Sequence, residues 1–377
     1  MSVWVRTADE LQGFLASLQG CRTLALDSES DSLHHHREKV CLIQITSDRN
    51  QARLLDPLAL PDLSPLAPLL ADPGVLKVLH GADYDVTTLK RDFSFRLVNL
   101  FDTMIAARFL GLPEIGLQAM VRSELGVELS KSNQRDDWSR RPLSPAQEAY
   151  ALADVHHLLA LQSRLAEKLS ALGRLPWLQE ECEAVAELPA ARRNADPEAY
   201  LRIKGSGRLS PRHLAVLHEL HAWRESRASA LDVPPFKILS AEILLALAEN
   251  PPRSLEDLGK VRGILPRLKN QAPDLLAAAE RALALPDAEL PLLRKAQKPV
   301  VPDAVRRRVE SLRAWRALEA ARLAVEVSVV LPQRLLDKVA EAAPRQVADL
   351  EQVEGLRRWR IAAFGPALVT AANGAHR

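Results

Sequence analysis

Cysteine is scarce in this chain of 377 residues: there are three, Cys21, Cys41 and Cys182, scattered and with no Cys-x-x-Cys pair. That spacing excludes a disulfide framework and a cysteine-based zinc site, and it fits thiols kept reduced in a cytosol. Long apolar runs are missing as well. No stretch reaches the ~20 residues needed to cross a bilayer, and Met1-Ser-Val-Trp-Val-Arg6 carries no basic segment leading into an apolar one. A cytoplasmic protein without a membrane partner is expected. The length suits two or three domains rather than one.

A bulk excess of charge is also lacking, since the net is only +2. The distribution is uneven, however. Residues 1–200 hold 21 Lys and Arg against 28 Asp and Glu, whereas residues 201–377 hold 29 against 20. An acidic half suited to cations is thus joined to a basic half suited to a polyanion.

Three short pieces carry the chemistry. Thr23-Leu-Ala-Leu-Asp-Ser-Glu29 reads as a strand, in which side chains at i and i+2 share a face, so Asp27 and Glu29 can hold one cation. Two carboxylates are hard oxygen ligands suited to Mg²⁺ or Mn²⁺. Asp85 follows in His80-Gly-Ala-Asp-Tyr-Asp85. A helix is predicted over 145–172, with Ser144 as cap and Pro145 in its first turn. There Tyr150 and Asp154 lie at i and i+4 on one face. The phenol can then reach a water held beside Asp154, and two ions about 4 Å apart would activate that water and neutralise a phosphodiester in flight.

Singly these signals are weak, but in this order they resemble the 3′–5′ exonucleases of the DEDD class. The resemblance is to the subgroup with Tyr ahead of the last Asp, and within it to the ribonuclease D family. Leu42-Ile-Gln-Ile45, Phe101-Asp-Thr103 and Asp137-Trp-Ser-Arg-Arg-Pro-Leu143 extend it over nearly the whole chain. It implies two divalent ions, with Asp27, Glu29 and Asp154 around the ion that holds the attacking water and Asp27 and Asp85 around the second. Tyr150 would orient the water, and His80 would contact the terminal ribose. Gln44 is a candidate substrate contact but, like Asp102, reads first as a polar residue supporting the fold. Ser28 and Ser30 stand where many relatives carry Thr or a bulky apolar residue able to pack on the terminal nucleotide. The run His34-His35-His36 is read as loop, since adjacent histidines cannot all converge on one ion.

Thr7-Ala-Asp-Glu10 is a capping-box pattern opening a helix. Apolar runs predict strands at 23–28, 40–46, 52–56 and 75–79, and helices are expected near 83–92, 102–110 and 116–125. The resemblance makes this alternation an α/β ribonuclease H-like exonuclease domain, a mixed sheet flanked by helices, followed by two all-α HRDC-type helical domains. Ala222-Trp-Arg224 recurs as Ala314-Trp-Arg316. Leu239, Leu244, Pro252-Arg253, Asp257-Leu258 and Gly263 recur at the same offset as Leu331, Leu336, Pro344-Arg345, Asp349-Leu350 and Gly355. Two copies of one helical module follow, and they resemble HRDC domains. Trp223 and Trp315 are expected in their cores.

The implied boundaries are an exonuclease domain at 1–172, a connector at 173–205, HRDC domains at 206–285 and 303–377, and a linker at 286–302. Arg306, Arg307 and Arg308, with Arg313, Arg316, Arg357, Arg358 and Arg360, are expected to form a phosphate-contacting surface on the second module. That module is expected to be removable without disturbing the active site. The resulting reading is a metal-dependent 3′–5′ exoribonuclease acting on RNA 3′ ends such as those of tRNA precursors and releasing nucleoside 5′-monophosphates, with no obligatory protein partner. A DNA exonuclease on the same scaffold and a non-catalytic nucleic-acid-binding protein are the alternatives, because carboxylates and metals do not read the 2′-hydroxyl.

Overall fold

The computed structural model describes residues 3–49, 52–130, 132–191, 196–261, 264, 270–291 and 301–374. Gly263 of the repeat, residues 192–195 of the expected connector and 292–300 of the expected linker lie outside the described residues. The strands are β1 (Trp4–Val5), β2 (Thr23–Ser30), β3 (Val40–Ser47), β4 (Arg53–Leu55), β5 (Leu76–Leu79) and β6 (Leu100–Asp102). Helices α1 (Ala8–Ser17), α2 (Ala67–Leu70), α3 (Asp83–Phe93), α4 (Thr103–Leu110), α5 (Leu117–Leu125), α6 (Pro145–His156), α7 (Leu158–Ala171) and α8 (Leu175–Ala186) accompany them. The first module contributes α9 (Pro211–Leu231), α10 (Pro235–Ile238), α11 (Ala241–Glu249), α12 (Leu255–Lys260) and α13 (Ala272–Ala284). The second contributes α14 (Asp303–Leu323), α15 (Val327–Val330), α16 (Gln333–Ala342) and α17 (Arg358–Ala372).

Two compact units result. One holds residues 1–30, 40–191 and 299–377, the other 31–39 and 192–298. In the first unit the sheet runs β1-β4-β3-β2-β5-β6. Strand β3 is antiparallel to both neighbours, while β2–β5, β5–β6 and β1–β4 are parallel, so the sheet is mixed. All eight residues of β3 are buried, as expected of a strand covered on both faces. Leu24 and Leu26 of β2 with Ile43 and Ile45 of β3 line one face, against helices that include α3, α4 and α7. Leu42 and Leu54 line the other, against Trp138, Tyr150 and Ala151.

Local chemistry explains the helix starts. Thr7 Oγ1 accepts from Glu10 N at 3.3 Å while Glu10 Oε2 accepts from Thr7 N at 3.1 Å, the capping box that opens α1. Ser144 and Gln147 form the same device at α6, with Pro145 in the first turn. The single helix expected over 145–172 is two helices, because the chain breaks at His157. The connector expected over 173–205 contains α8, whose Leu178, Cys182 and Ala186 are buried.

The second module is built into this same unit. Its Leu312, Trp315, Trp359 and Phe364 belong to one apolar cluster with Leu97, Phe109 and Leu178. Trp359 stacks on Trp177 of α8 at 4.6 Å between ring centroids and meets Phe109 edge-on at 5.4 Å. The Glu180 carboxylate accepts from the Arg358 and Trp359 backbone N–H groups, both at 2.7 Å, and so caps α17 from α8. Arg174 donates to Phe109 O at 2.6 Å and Leu323 O at 2.9 Å. Gly111 sits at φ +71°, and a Cβ there would lie 1.9 Å from Ala324 O. Arg360, expected on the basic surface, is instead 6% exposed and paired with Glu181 at 2.5 Å. A guanidinium buried that deeply persists because a carboxylate and carbonyls satisfy it. A separable module is therefore not what the fold shows.

The second unit has its own core, in which Leu214, Leu217, Leu244 and Ala278 are fully buried and Trp223 packs partly buried. The repeat holds in three dimensions: α9 and α14 each span 21 residues, and α10 and α15 each span 4. Trp315 is 5% exposed, as a core residue should be. The three adjacent histidines lie in a loop, as expected, and all three are half-buried, with His35 Nδ1 2.7 Å from Asp232 Oδ2.

Trp359→Ala is expected to destabilise the full chain by about 3–5 kcal/mol, the usual cost of emptying a buried Trp site. Deleting 299–377 is expected to broaden or abolish the cooperative transition of the remaining unit by baring apolar surface on α4 and α8. Urea unfolding followed by far-ultraviolet circular dichroism checks both.

Candidate active site

The second half of β2 leaves the core: Leu24 to Leu26 are buried, while Asp27 to Ser30 are half-buried. Asp27 and Glu29 point to the face covered by α6. There the i, i+4 spacing brings Tyr150 and Asp154 over them, and ligand oxygens of Asp27, Glu29 and Asp154 all lie within 4.8 Å of one another. The Tyr150 hydroxyl hydrogen-bonds Asp154. Asp85, in the first turn of α3, accepts from Ser28 Oγ at 2.5 Å through Oδ1. Its charge adds to those acting on Glu29. Four of the five residues singled out by spacing, Asp27, Glu29, Tyr150 and Asp154, thus meet in one place, and Asp85 stands beside them on α3.

Two polar keys set the geometry. Asp102 ends β6 and caps α4 by accepting from Met104 N at 2.7 Å and Ile105 N at 3.2 Å, while Gly81 N and Ala82 N also donate to it at 3.0 and 2.7 Å. One carboxylate so ties the turn that presents Asp85 to the helix behind it. Arg141 grips Asp56 in a fork, Nε to Oδ2 and Nη2 to Oδ1 both at 2.7 Å, and donates further to Cys41 O at 2.7 Å. That lashes residues 137–143 to the sheet and places Trp138 against Tyr150, 6.0 Å between centroids. Trp138 is 1% exposed, so the phenol ring has a fixed wall.

His80 Nδ1 lies 2.9 Å from Thr103 Oγ1. The Thr103 hydroxyl spends its one proton on Leu79 O at 3.1 Å, so the imidazole must be the donor. Burial lowers the His80 pKa, and the neutral ring then keeps Nε2 as an acceptor. Gln44 stands directly across from Asp27 in the β2–β3 register. It is fully buried, and neither amide atom has a protein hydrogen-bond partner. Arg306 is exposed and paired with Asp303, Arg307 is exposed, and Arg308 is half-buried with Nε donating to Ala340 O at 2.6 Å. They lie on α14, apart from the carboxylate cluster in the sequence and on another element.

Two residues near the site escaped the sequence pattern. Asp136 adds its charge to those acting on Glu29, and Tyr84 hydrogen-bonds Ser30, 2.6 Å between hydroxyl oxygens. Asp136 lies in a loop, where no period links it to β2. Tyr84 occupies the intervening position of Asp83-Tyr-Asp85, where the carboxylates drew the attention.

Electrostatically the site is a cluster of like charges taken partly out of water. Burial, with the Asp154 charge, raises the Asp27 carboxyl to about 8. Burial raises Glu29 to about 10, with Asp27, Asp154 and Asp85 adding to it. Asp154 rises to about 7 through burial, opposed by the Tyr150 hydrogen bond. Burial and then Asp27 push Asp85 well above the usual carboxylate range, while Ser28 opposes. Among the described residues, no Lys or Arg is among the charges that shift these four most. Burial and the neighbouring carboxylates also raise the Tyr150 pKa, so the phenol keeps its proton and serves as a donor. Hard oxygen donors with no internal cation fit Mg²⁺ or Mn²⁺, which take few protein carboxylates and leave positions for water and phosphate.

Comparison with known proteins agrees. Residues 2–170 match the family described as 3′-5′ exonuclease, and residues 213–278 and 305–371 each match the HRDC domain family. The chain is 36% identical over 386 residues to ribonuclease D of Pseudomonas paraeruginosa, covering 98% of this chain and 99% of that one. To ribonuclease D of Gluconacetobacter diazotrophicus it is 32% identical over 380 residues, 99% of this chain and 93% of the other. The crystal structure of Escherichia coli RNase D, described as an exoribonuclease involved in structured RNA processing, superposes with a TM-score of 0.72 at 27% identity over 99% of each chain. Fold and site together define a hydrolytic 3′–5′ exonuclease that uses divalent metal and carries two HRDC domains. The chain belongs to the ribonuclease D family, and its activity is that of a 3′–5′ exoribonuclease.

The raised carboxyl pKa values have a consequence for the metal-free protein. A carboxyl whose folded pKa exceeds its unfolded one binds more protons folded than unfolded, so its contribution is complete below about pH 4 and falls as pH rises through the folded values near 7 to 10. In chelator the Tm is expected to fall between pH 6 and 9, and Mg²⁺ to raise it more at pH 9 than at pH 6. Asp27→Asn is expected to flatten that slope in chelator. Thermal unfolding across the pH range, with and without Mg²⁺, measures it.

Proposed function

We propose that this exoribonuclease trims the 3′ ends of structured RNA, tRNA precursors among them, with two divalent ions, Mg²⁺ or Mn²⁺, held by Asp27, Glu29, Asp85 and Asp154. The observation that carries this is the convergence of Asp27, Glu29 and Asp154, with Asp85 alongside, next to a protonated, walled-in Tyr150. When bound, the ions lower the pKa of a coordinated water and neutralise charge developing on the phosphodiester. Asp27, at the centre of the cluster, is assigned to both ions, Glu29 and Asp154 to the ion on the water side, and Asp85 to the other. Tyr150 orients the attacking water by donation from its hydroxyl rather than by taking a proton. Attack on the terminal phosphodiester with departure of the upstream 3′ oxygen leaves the phosphate on the 5′ side of the released nucleoside.

His80 supports the preference for ribose. With Nδ1–H committed to Thr103, its Nε2 accepts from a sugar hydroxyl, which a ribose offers more readily than a deoxyribose. The Gln44 amide, buried opposite Asp27 without a protein partner, is assigned to holding the strand pair and an internal water rather than the substrate. Arg306, Arg307 and Arg308 are assigned to phosphates upstream of the cleaved end, with Arg307 the most available of the three.

Asp27→Ala or Asp154→Ala is expected to abolish hydrolysis while RNA binding persists, and Tyr150→Phe to lose on the order of 10²–10⁴-fold in kcat. Single-turnover assays beside filter binding separate the two effects, and normal turnover in either Ala variant refutes the assignment. Matched RNA and DNA oligonucleotides decide between RNA and DNA ends. RNA ending in a 3′-phosphate is expected to resist degradation, because the extra charge meets Glu29; equal degradation of circular RNA would mean an endonuclease.

A further inference from the structure

Tyr84 is one of only three tyrosines in the chain, and at 44% exposure it is far more open than Tyr150 at 7% or Tyr200 at 8%. Its position is nevertheless fixed at both ends. The hydroxyl is hydrogen-bonded to Ser30, 2.6 Å between oxygens. At the other end the Tyr84 carbonyl accepts from Thr88 Oγ1 at 2.8 Å and Thr87 Oγ1 at 3.0 Å. The ring therefore spans from the first turn of α3 to the end of β2. Both anchors adjoin the carboxylate site: Ser30 follows Glu29, and Tyr84 precedes Asp85, whose carboxylate accepts from Ser28, two residues before Ser30 on β2.

A site made of carboxylates can hold metal and phosphate but offers nothing to a base. An aromatic ring that is exposed, pre-oriented and next to that site supplies the missing contact, because every base has a π-face whatever its sequence. Holding the ring before binding removes part of the ordering cost that stacking would otherwise carry. Resting on the exoribonuclease reading above, we infer that Tyr84 is the platform on which a base flanking the scissile phosphodiester stacks, and that it sets affinity for the 3′ end without selecting among the four bases.

The test compares RNA oligonucleotides carrying normal 3′ ends with the same oligonucleotides made abasic at the last or the penultimate position. Each is assayed with the wild type, Tyr84→Ala and Tyr84→Phe in saturating Mg²⁺. Tyr84→Ala is expected to raise KM about 5- to 150-fold, the range for losing one base stack, with kcat changed much less. Against RNA abasic at the stacked position the wild type is expected to lose the same factor, and Tyr84→Ala to lose no more, since the interaction is already gone. Tyr84→Phe keeps the ring and loses the hydroxyl that tethers it to Ser30, so its KM is expected to rise less than that of Tyr84→Ala. The inference is overturned by an unchanged KM in Tyr84→Ala, by equal loss in Tyr84→Phe, or by a Tyr84→Ala defect that persists in full on both abasic substrates. Absence of any metal-stimulated 3′ hydrolysis by the wild type overturns the exoribonuclease reading itself, and the stacking with it.

Discussion

Four carboxylates that repel one another, two buried and two half-buried, are held together, and the fold around them exists to keep them there. Asp27, Glu29 and Asp154 converge within 4.8 Å on elements far apart in sequence, with Asp85 alongside. Among the described residues, no Lys or Arg is among the charges that shift them most. Left to themselves such groups would separate or take up protons. They stay together because β2 is clamped between β3 and β5, and α6 is pressed onto the sheet by Trp138, Leu42 and Leu54. That unresolved repulsion is what makes the site a receptor for divalent metal, and burial together with the same charges keeps Tyr150 a proton donor.

The scaffold spends its own buried charges on alignment. Asp102 collects four backbone N–H groups from the turn before α3 and the start of α4. The Arg141–Asp56 fork performs the same service for the segment leading into α6. Each satisfies donors that would otherwise be orphaned in the interior, so each supports both stability and the placement of a motif. The second HRDC domain extends this logic. Its α17 is capped by Glu180 of α8, and its buried Arg360 is neutralised by Glu181, so a module that is a repeat by descent is a structural part of the unit it joins.

Duplication accounts for part of that difference. The two modules open with the same pair of helices, of 21 and 4 residues, and carry a Trp at the same position of the longer one. They diverge at the segment Arg357-Arg-Trp-Arg360, whose counterpart in the first module reads Leu265-Pro-Arg-Leu268. The second copy alone has the Trp and the Arg that meet α8. A basic stretch in sequence was therefore serving two ends, exposed cations on α14 and an internal salt bridge on α17.

The sequence by itself determined the chemistry, because the relevant spacings are local. A pleat puts Asp27 and Glu29 on one face, a helical turn puts Tyr150 and Asp154 on another, and caps such as Thr7 and Ser144 mark where helices begin. It also determined the duplication, since an ungapped repeat needs no coordinates. Short strands such as β1 and β6 and the break between α6 and α7 were not legible, as two or three residues carry no period and both flanks of His157 are good helix formers. Only the tertiary structure decided that Arg360 is internal, that α8 is a docking surface, that His80 keeps Nε2 as an acceptor and that Tyr84 stands open beside the carboxylates. Each of those depends on which partner lies across the fold, and contact between residues distant in the chain leaves no trace in the spacing of either one.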